Sequence, residues 1–519
     1  MLHFRFESIV FGARVTITGR ESCTLEKVAK QIKDETGNEP LKIVGDLLDQ
    51  SLPRRLIDET ISKFGRLDFL INNAGGGSPY DSLYNENLMH GFDQVYGLNV
   101  RAVIHLTQLA APYLEITNGN IINISSVAAL RPHSILYSSS KAAIDMITKT
   151  SAQELGEKGI RVNSISPGSV TTRYGRSVGM PETILADLED QIKERTILKF
   201  VPQPIEIAKL AMFLASDDAR NITGSIIVTD GYLRKTNDNL TSHQSSNKTE
   251  RNMSSTATTS GKKYNFSGKV AIVTGSSSGI GAAIALQMAQ FGAQVTITGR
   301  DADALESVAK QIEDETGNKP LQIVGNLLDQ SLPSKLIDET ISKFGRLDFL
   351  VNSAGGSTPH RDLSDEKLLE GYDEVYAVNV RAIIQLTQLA VPHLEKTKGN
   401  IINISSASSM VPYGLIYSSS KAALDMVTKS LAQELAPKGI RVNSINPGPV
   451  VTHLYRSFGM TKEANAEHEP HLRQNLTLLK FLPQPVEIAN LASFLASDDA
   501  RNMTGSIVVS DTGFMLVSK

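Results

Sequence analysis

Short apolar runs alternate with amphipathic stretches through most of this chain. Gly268-Lys-Val-Ala-Ile-Val-Thr274 is a β-branched run, apolar on both faces, which predicts a buried parallel strand. Ala282 to Phe291 follows at helical spacing, then Ala293-Gln-Val-Thr-Ile-Thr298 as a second strand. Leu321-Gln-Ile-Val and Leu347-Asp-Phe-Leu-Val351 read as further strands, with a helix around Pro333–Phe344 between them. Asn400-Ile-Ile-Asn-Ile404, Ile440-Arg-Val-Asn-Ser-Ile445 and Gly505-Ser-Ile-Val-Val509 continue the series. Such alternation predicts an α/β fold, a Rossmann-type doubly wound parallel sheet wrapped by helices on both faces.

The pattern occurs twice. Ile61-Ser-Lys-Phe-Gly-Arg-Leu-Asp-Phe-Leu70 recurs unchanged as Ile341 to Leu350, and Tyr137 and Lys141 recur 280 residues later as Tyr417 and Lys421. A period this long is a duplicated domain rather than a solenoid repeat. The expected divisions are a first copy over 1–234, a polar disordered linker over 235–263 and a complete second copy over 264–519. The first copy begins partway through the pattern. Gly12-Ala-Arg-Val-Thr-Ile-Thr18 matches Gly292 to Thr298, so Met1 stands opposite Gly281. The first strand, the glycine loop and nearly all of the first helix have no counterpart in it. That strand is central in a doubly wound sheet, so its two neighbours should be left unpaired and the core opened. Leu2-His-Phe-Arg-Phe-Glu7 alternates apolar and polar, unlike a central strand, and is not expected to replace it.

Composition narrows the function. Of 519 residues, 41% are hydrophobic and 21% charged, and the net charge of −3 points neither to nucleic acid nor to an anionic membrane face. The single cysteine, Cys23, excludes an intramolecular disulfide and fits a reducing compartment. Charges in the opening Met-Leu-His-Phe-Arg-Phe-Glu-Ser interrupt any signal-peptide run, and no stretch approaches 18 consecutive apolar residues. A cytoplasmic location is the expectation.

Candidate chemistry centres on Tyr417-Ser-Ser-Ser-Lys421. A tyrosine and a lysine four apart share one helix face. A nearby ammonium favours the phenolate, so the phenol of Tyr417 is expected below its ordinary value near 10. Ser406, ending the preceding strand, would orient a carbonyl or alcohol against it, which is acid–base equipment for hydride chemistry. Gly275-Ser-Ser-Ser-Gly279-Ile-Gly281 lies between a strand and a helix: Gly275 for the turn, Gly279 for close approach to phosphate, Gly281 for helix–strand packing. The helix start would face a pyrophosphate. The spacing G-x-x-x-G-x-G differs from G-x-G-x-x-G. Arg300, just past the second strand in a turn whose preceding Gly299 supplies no carboxylate, predicts NADP rather than NAD, with Asp301 close enough to weaken the preference.

Thr274-Gly-Ser-Ser-Ser-Gly-Ile-Gly281, Asn352-Ser-Ala-Gly355, Asn379, Ser406, Tyr417-Ser-Ser-Ser-Lys421 and Pro447-Gly448 stand in the order of the short-chain dehydrogenase/reductase family, which the chain resembles through all of the second copy and most of the first. The resemblance implies Tyr417 as acid/base and Lys421 as holder of the nicotinamide ribose. It implies Ser406 polarising the substrate oxygen and Asn379 supporting a water behind the lysine. Pro447, Gly448, Val450 and Thr452 would line the nicotinamide; Gly275, Ser277, Gly279, Ile280, Gly281, Arg300, Asn326, Ser353, Ala354 and Gly355 complete the cofactor set. Three features depart from the family. Ser353 replaces the second Asn of Asn-Asn-Ala-Gly, Asn326 replaces an Asp retained as Asp46, and a short Ser406–Tyr417 segment makes Ser405 a competitor. The first copy keeps Asn99, Ser126, Tyr137, Lys141, Pro167, Gly168 and Thr172 but has no pyrophosphate loop, so no turnover is expected from it.

The reading is therefore an NAD(P)-dependent oxidoreductase acting on a small carbonyl or secondary alcohol through the second copy. A 3-oxoacyl thioester reductase and a non-catalytic dinucleotide-binding scaffold are the alternatives. The copies are expected to pair within the chain as a pseudo-dimer, or the chain to form a homo-oligomer. Leu454 to Leu479 would be a substrate lid, with Phe458, Met460 and Leu472 at an apolar mouth. His453, His468 and His471 meet no zinc spacing, so no metal is expected.

Overall fold

The structure is a computed structural model that describes residues 13–131, 133–170, 203–216, 219–220, 222–229, 264–360, 362–452, 461, 470, 477, 481–501, 503–512 and 514–516. The linker over 235–263, Leu2–Glu7, Thr172 and the lid histidines lie outside these residues, as do Phe458, Met460 and Leu472.

The second copy is a seven-stranded parallel sheet. Its strands are β7 (Val270–Thr274), β8 (Gln294–Gly299), β9 (Leu321–Val324), β10 (Phe349–Asn352), β11 (Asn400–Ile404), β12 (Arg441–Pro447) and β13 (Ile507–Ser510), in the order β13-β12-β11-β10-β7-β8-β9. Growth outward from β7 in both directions is the doubly wound topology, and it puts the carboxyl ends of all strands on one edge. The helices are α7 (Gly279–Gln290), α8 (Ala302–Thr316), α9 (Leu332–Phe344), α10 (Leu368–Tyr376), α11 (Ala382–Thr397), α12 (Leu415–Leu435) and α13 (Pro485–Ala496). Gly317 and Gly345 end α8 and α9 at φ near +72° and +74°, a left-handed cap that glycine adopts without Cβ strain.

Among the described residues the first copy repeats these elements from the counterpart of β8 onward: β1 (Thr16–Gly19), α1 (Ser22–Thr36), β2 (Leu41–Val44), α2 (Leu52–Phe64), β3 (Phe69–Asn72), α3 (Leu88–Tyr96), α4 (Ala102–Thr117), β4 (Asn120–Ile124), α5 (Leu136–Gly156), β5 (Arg161–Pro167), α6 (Pro204–Ala215) and β6 (Ile226–Thr229). Its sheet is split into β1-β2 and β3-β4-β5-β6, with no described strand between β1 and β3. Phe69 and Ile71 on β3 are 45% and 41% exposed, where their counterparts Phe349 and Val351 are 6% and 0% exposed. The outer core of the second copy gathers residues from Phe266 to Ala500 around Ala271, Val273 and Ile284. Among the described residues its first-copy equivalent comprises Ile122, Ile124, Ile165, Ile207, Ala211, Leu214 and Ala219.

The copies pack face to face through α5 and α12, with α3–α4 against α10–α11, and their inner cores merge into one apolar cluster. Contacts across the interface are reciprocal. Arg101 Nε lies 2.9 Å from Asp373 Oδ1, and Arg381 Nε 3.2 Å from Asp93 Oδ1. Gln108 donates to the Asp365 carbonyl and Gln388 to that of Asn85. Glu154 accepts the Leu363 N–H as Glu434 accepts that of Leu83. The pattern is that of an isologous two-fold interface contained in one chain.

Candidate active site

The residues singled out in the second copy converge at the carboxyl edge of its sheet. Ser406 follows β11 and caps a short 3₁₀ turn by accepting the Ser408 N–H at 3.1 Å. That turn aims the chain so that α12 starts at Leu415 and brings Tyr417 back over the strand end. Tyr417 and Ser406 are hydrogen-bonded through their side chains. Ser405 donates its hydroxyl to the Lys421 carbonyl at 3.2 Å and is 4% exposed, so it faces backbone.

Lys421 shares a helix face with Tyr417, and its Nζ lies 5.8 Å from the tyrosine ring centroid. The amine donates to the Ile404 carbonyl at 3.0 Å. Its surroundings differ from the expectation in one respect. Burial pushes the Tyr417 phenol up to about 12, with the Ser406 hydrogen bond acting the other way. Burial likewise brings the Lys421 amine down to about 8, with Asp425 opposing. The ammonium therefore does not leave the phenol acidic: removal of both groups from water outweighs an attraction across this distance, and the amine is committed to a backbone carbonyl.

Asn379 sits in a single π-helical turn, Ala377–Arg381, between α10 and α11. Such turns insert one residue into a helix and re-aim a side chain. Here the amide accepts the Gly356 N–H at 3.0 Å, and its Nδ2 donates to the Gly356 carbonyl at 2.9 Å and to Ser420 Oγ at 3.0 Å. A Cβ placed on Gly355 would stand 3.2 Å from Lys421 Nζ and 3.3 Å from Asn379 Oδ1, so these three groups meet.

The glycine loop lies beside them. Gly275 and Gly279 have φ near +64° and +58°. A Cβ on Gly275 would meet the Ala354 backbone at 2.7 Å, and one on Gly281 would run into the Gly275 carbonyl. Ser353 and Ala354 donate their N–H groups to Thr274 Oγ1 at 3.1 and 3.0 Å. Gly279 and Ile280 open α7, while Thr452 packs against Gly279, its Cβ 3.4 Å from where a glycine Cβ would stand. Pro447 ends β12, Gly448 donates to the Ser510 carbonyl at 3.1 Å, and Val450 packs on the outer core. A helix start behind a loop that turns on glycines at Gly275 and Gly279 is a cradle that fits a dinucleotide pyrophosphate.

Arg300 is exposed just past β8, beside Ser277, whose Oγ would lie 2.7 Å from a Cβ on Gly299. In the first copy the equivalent Arg20 pairs with Asp46 at 3.7 Å, whereas Asn326 carries no charge to pair with Arg300. Asp301 caps α8 by accepting the Ala304 N–H at 3.0 Å, so its carboxylate faces the helix rather than the turn.

A polar cluster beneath Ser406 was not singled out from the sequence. Asn446 donates to the Ser406 carbonyl at 3.1 Å, to Ser409 Oγ at 2.9 Å and to Asp425 Oδ2 at 2.7 Å. Burial raises the Asp425 carboxyl above the usual range, against hydrogen bonds from Ser409, Ser405 and Asn446. The signal was present: Asn446 interrupts the β12 run and Asp425 an apolar helix face. The first copy reproduces the upper tier, with Lys141 on the Ile124 carbonyl at 2.9 Å and Asn99 on the Gly76 carbonyl at 3.0 Å. It lacks the lower tier: Ser166 and Ala129 replace Asn446 and Ser409, and the Ser166 hydroxyl has no partner among the described residues.

Comparison with known proteins finds two matching segments in the chain. A sequence model described as Enoyl-(Acyl carrier protein) reductase matches residues 10–232 and 275–515. A short-chain type dehydrogenase/reductase of Sinorhizobium fredii is 29% identical over 470 residues, 87% of this chain and 79% of that protein. An L-fucose dehydrogenase of Mus musculus is 38% identical over 237 residues, 45% of this chain and 84% of its own. Among solved structures, an L-sorbose reductase of Gluconobacter frateurii complexed with NADPH and L-sorbose shares 30% identity, covering 49% of this chain and 99% of that one at a TM-score of 0.46.

Proposed function

The chain belongs to the short-chain dehydrogenase/reductase family in both of its copies, and from that premise we propose that the second copy is an NADP-dependent oxidoreductase of small carbonyl compounds and secondary alcohols. The observation that carries the reading is the hydrogen-bonded Ser406–Tyr417 pair standing beside Lys421, Asn379 and the glycine cradle on one sheet edge.

The bound nicotinamide supplies or takes up the hydride. In the reducing direction the Ser406 hydroxyl donates a hydrogen bond to the substrate oxygen. Tyr417 gives its phenolic proton to that oxygen as hydride reaches the carbon, and the product leaves as the alcohol. In the oxidising direction the phenolate takes the hydroxyl proton. Lys421 would hold the ribose and would stabilise the phenolate when it forms, and Asn379 holds the loop at Gly356 beside the amine. Arg300 favours a 2′-phosphate because Asn326 is neutral and Asp301 is turned into its helix cap. The first copy, whose described residues hold no glycine cradle, acts as the pairing partner.

The test follows NADPH and NADH absorbance with a panel of sugars, ketones and 3-oxoacyl thioesters, on the chain and on Tyr417→Phe. Turnover of any carbonyl that Tyr417→Phe abolishes supports the reading. Cofactor binding with no turnover of any panel member would support a binding module instead.

A further inference from the structure

The amide of Asn446 joins three elements beneath the Ser406 turn. Asn446 is fully buried near the carboxyl end of β12, and its Nδ2 faces the Ser406 carbonyl, Ser409 Oγ and Asp425 Oδ2. Its Oδ1 accepts the Ser444 hydroxyl at 2.7 Å, so both ends of the amide are engaged. Ser409 donates to Asp425 Oδ2 at 2.6 Å, which closes a ring between the turn and α12. Ser444 and Asn446 are two apart on β12 and share one face of the sheet, the face on which α12 packs.

The cluster reaches the reacting groups from both sides. The Ser406 carbonyl that Asn446 holds also accepts the Ser409 N–H at 3.0 Å, and Ser406 Oγ accepts the Ser408 N–H while bonded to Tyr417. Asp425 stands one helical turn beyond Lys421, on the same α12 that carries Tyr417. The cluster thus spans the serine's turn and the helix of the tyrosine and the lysine. The first copy marks what this adds. Its turn forms without it, because Ser126 Oγ accepts the Ala128 N–H at 3.2 Å and the Ser126 carbonyl the Ala129 N–H at 2.9 Å. Ser166 and Ala129 do not make the bonds to Asp145 that Asn446 and Ser409 make to Asp425.

We propose that Asn446 is a positioning residue for the reaction of the second copy, an inference that rests on the function proposed above. With Ser409 and Asp425 it fixes the Ser406 turn against α12, so that one hydroxyl meets both the Tyr417 phenol and the substrate oxygen. Asparagine is the side chain that fits. Its amide offers N–H groups to a carbonyl and a carboxylate and an acceptor to Ser444. An aspartate would set a second carboxylate against Asp425, and a serine has a single proton to give. The network is buried and mutually satisfied, the condition under which polar groups rigidify a site. A displacement of about 1 Å at a reacting group costs about 10²-fold in rate. A clamp that touches neither substrate nor cofactor therefore governs kcat.

The test compares Asn446→Ser, Ser406→Ala and the double variant with the parent chain, using NADPH and whichever sugar, ketone or 3-oxoacyl thioester the parent reduces fastest. Asn446→Ser should lower kcat at least tenfold, with KM and the NADPH dissociation constant within about threefold of the parent. On the Ser406→Ala background the same change should cost less than about twofold, because both act through one hydroxyl. Ser409→Ala removes a single hydroxyl and should lower kcat at least threefold with the same dependence on Ser406; it carries the test if Asn446→Ser does not fold. Hydrogen exchange without cofactor or substrate gives a second readout. The amides of residues 406–410 should exchange at least tenfold faster in either variant than in the parent. Additive losses in the double variant, a kcat within about twofold of the parent, or unchanged exchange over 406–410 overturns the proposal. A parent that reduces no member of the panel sinks the proposed function instead, and the exchange rates then decide the clamp alone.

Discussion

The amine of Lys421 is tied to the carbonyl of Ile404 at 3.0 Å, so the residue that flanks Tyr417 is anchored to the end of β11. The anchor keeps the cation over the strand edge while the phenol stays with Ser406. Tyr417→Phe removes the transferable proton and leaves this anchor and the glycine cradle intact. Turnover should fall about 10²–10⁴-fold with NADPH affinity within a factor of a few, and Tyr137→Phe should change neither. Parallel steady-state rates and fluorescence titrations check the pair.

The protonation states predict asymmetric pH profiles. With the phenol pushed to about 12, the protonated form that serves reduction predominates at neutral pH, whereas oxidation needs the phenolate. Oxidation should therefore climb with pH through 9 and above. Reduction should decline as the Lys421 amine loses charge through about 8. Initial rates in both directions from pH 6 to 10 test this; superimposable profiles would contradict it.

Gly281 admits no side chain because the Gly275 carbonyl occupies that space. Gly281→Ala should weaken dinucleotide binding at least tenfold, about 1.4 kcal/mol, while the circular dichroism spectrum stays that of the parent. Calorimetric titration with NADPH gives the affinity directly.

Arg300→Ala should reduce the NADPH over NADH preference by on the order of tenfold, and Asn326→Asp should act in the same direction by restoring the pairing seen between Arg20 and Asp46. The ratio of kcat/KM for the two cofactors reports it. Equal ratios in parent and variants would remove Arg300 from the cofactor site.

Burial raises the Asp145 carboxyl from 3.8 to about 6, against hydrogen bonds from Ser125 and Ser164. A carboxyl whose folded value is raised favours folding at low pH. Its contribution is complete below about pH 4 and is lost as pH rises through about 6. The rise corresponds to at most about 3 kcal/mol. Asp145→Asn keeps a hydrogen-bonding side chain of the same size and should flatten stability over pH 4 to 6. Urea midpoints at pH 4, 5 and 6.5 measure the slope.

Much of this arrangement is legible in the sequence. The β-branched runs mark the strands because a parallel sheet is buried on both faces, and Asn400–Ile404 is found with those limits. The 280-residue offset sets Met1 opposite Gly281, and among the described residues the first copy's sheet is split at the position of β7. Other features depend on distances that a linear pattern does not carry. The π turn at Asn379 leaves no mark in apolar spacing. Ser405 and Ser406 are chemically identical neighbours, and only the direction of the chain leaving β11 turns one to backbone and the other to Tyr417. The direction of the Tyr417 shift depends on how completely α12 is enclosed, and helical spacing to Lys421 says nothing of that. Asp425 and Asn446 are 21 residues apart and become partners only when α12 lies across β12.

The merged inner core has a consequence for how the chain assembles. Among the described residues the first copy has a small outer core yet keeps the face that docks on α12. Its native basin is then deepest when the other copy is already formed. Folding should be ordered rather than simultaneous, with the second copy acting as a template in cis. On gentle denaturation the strands β1 and β2 should open ahead of everything around β7.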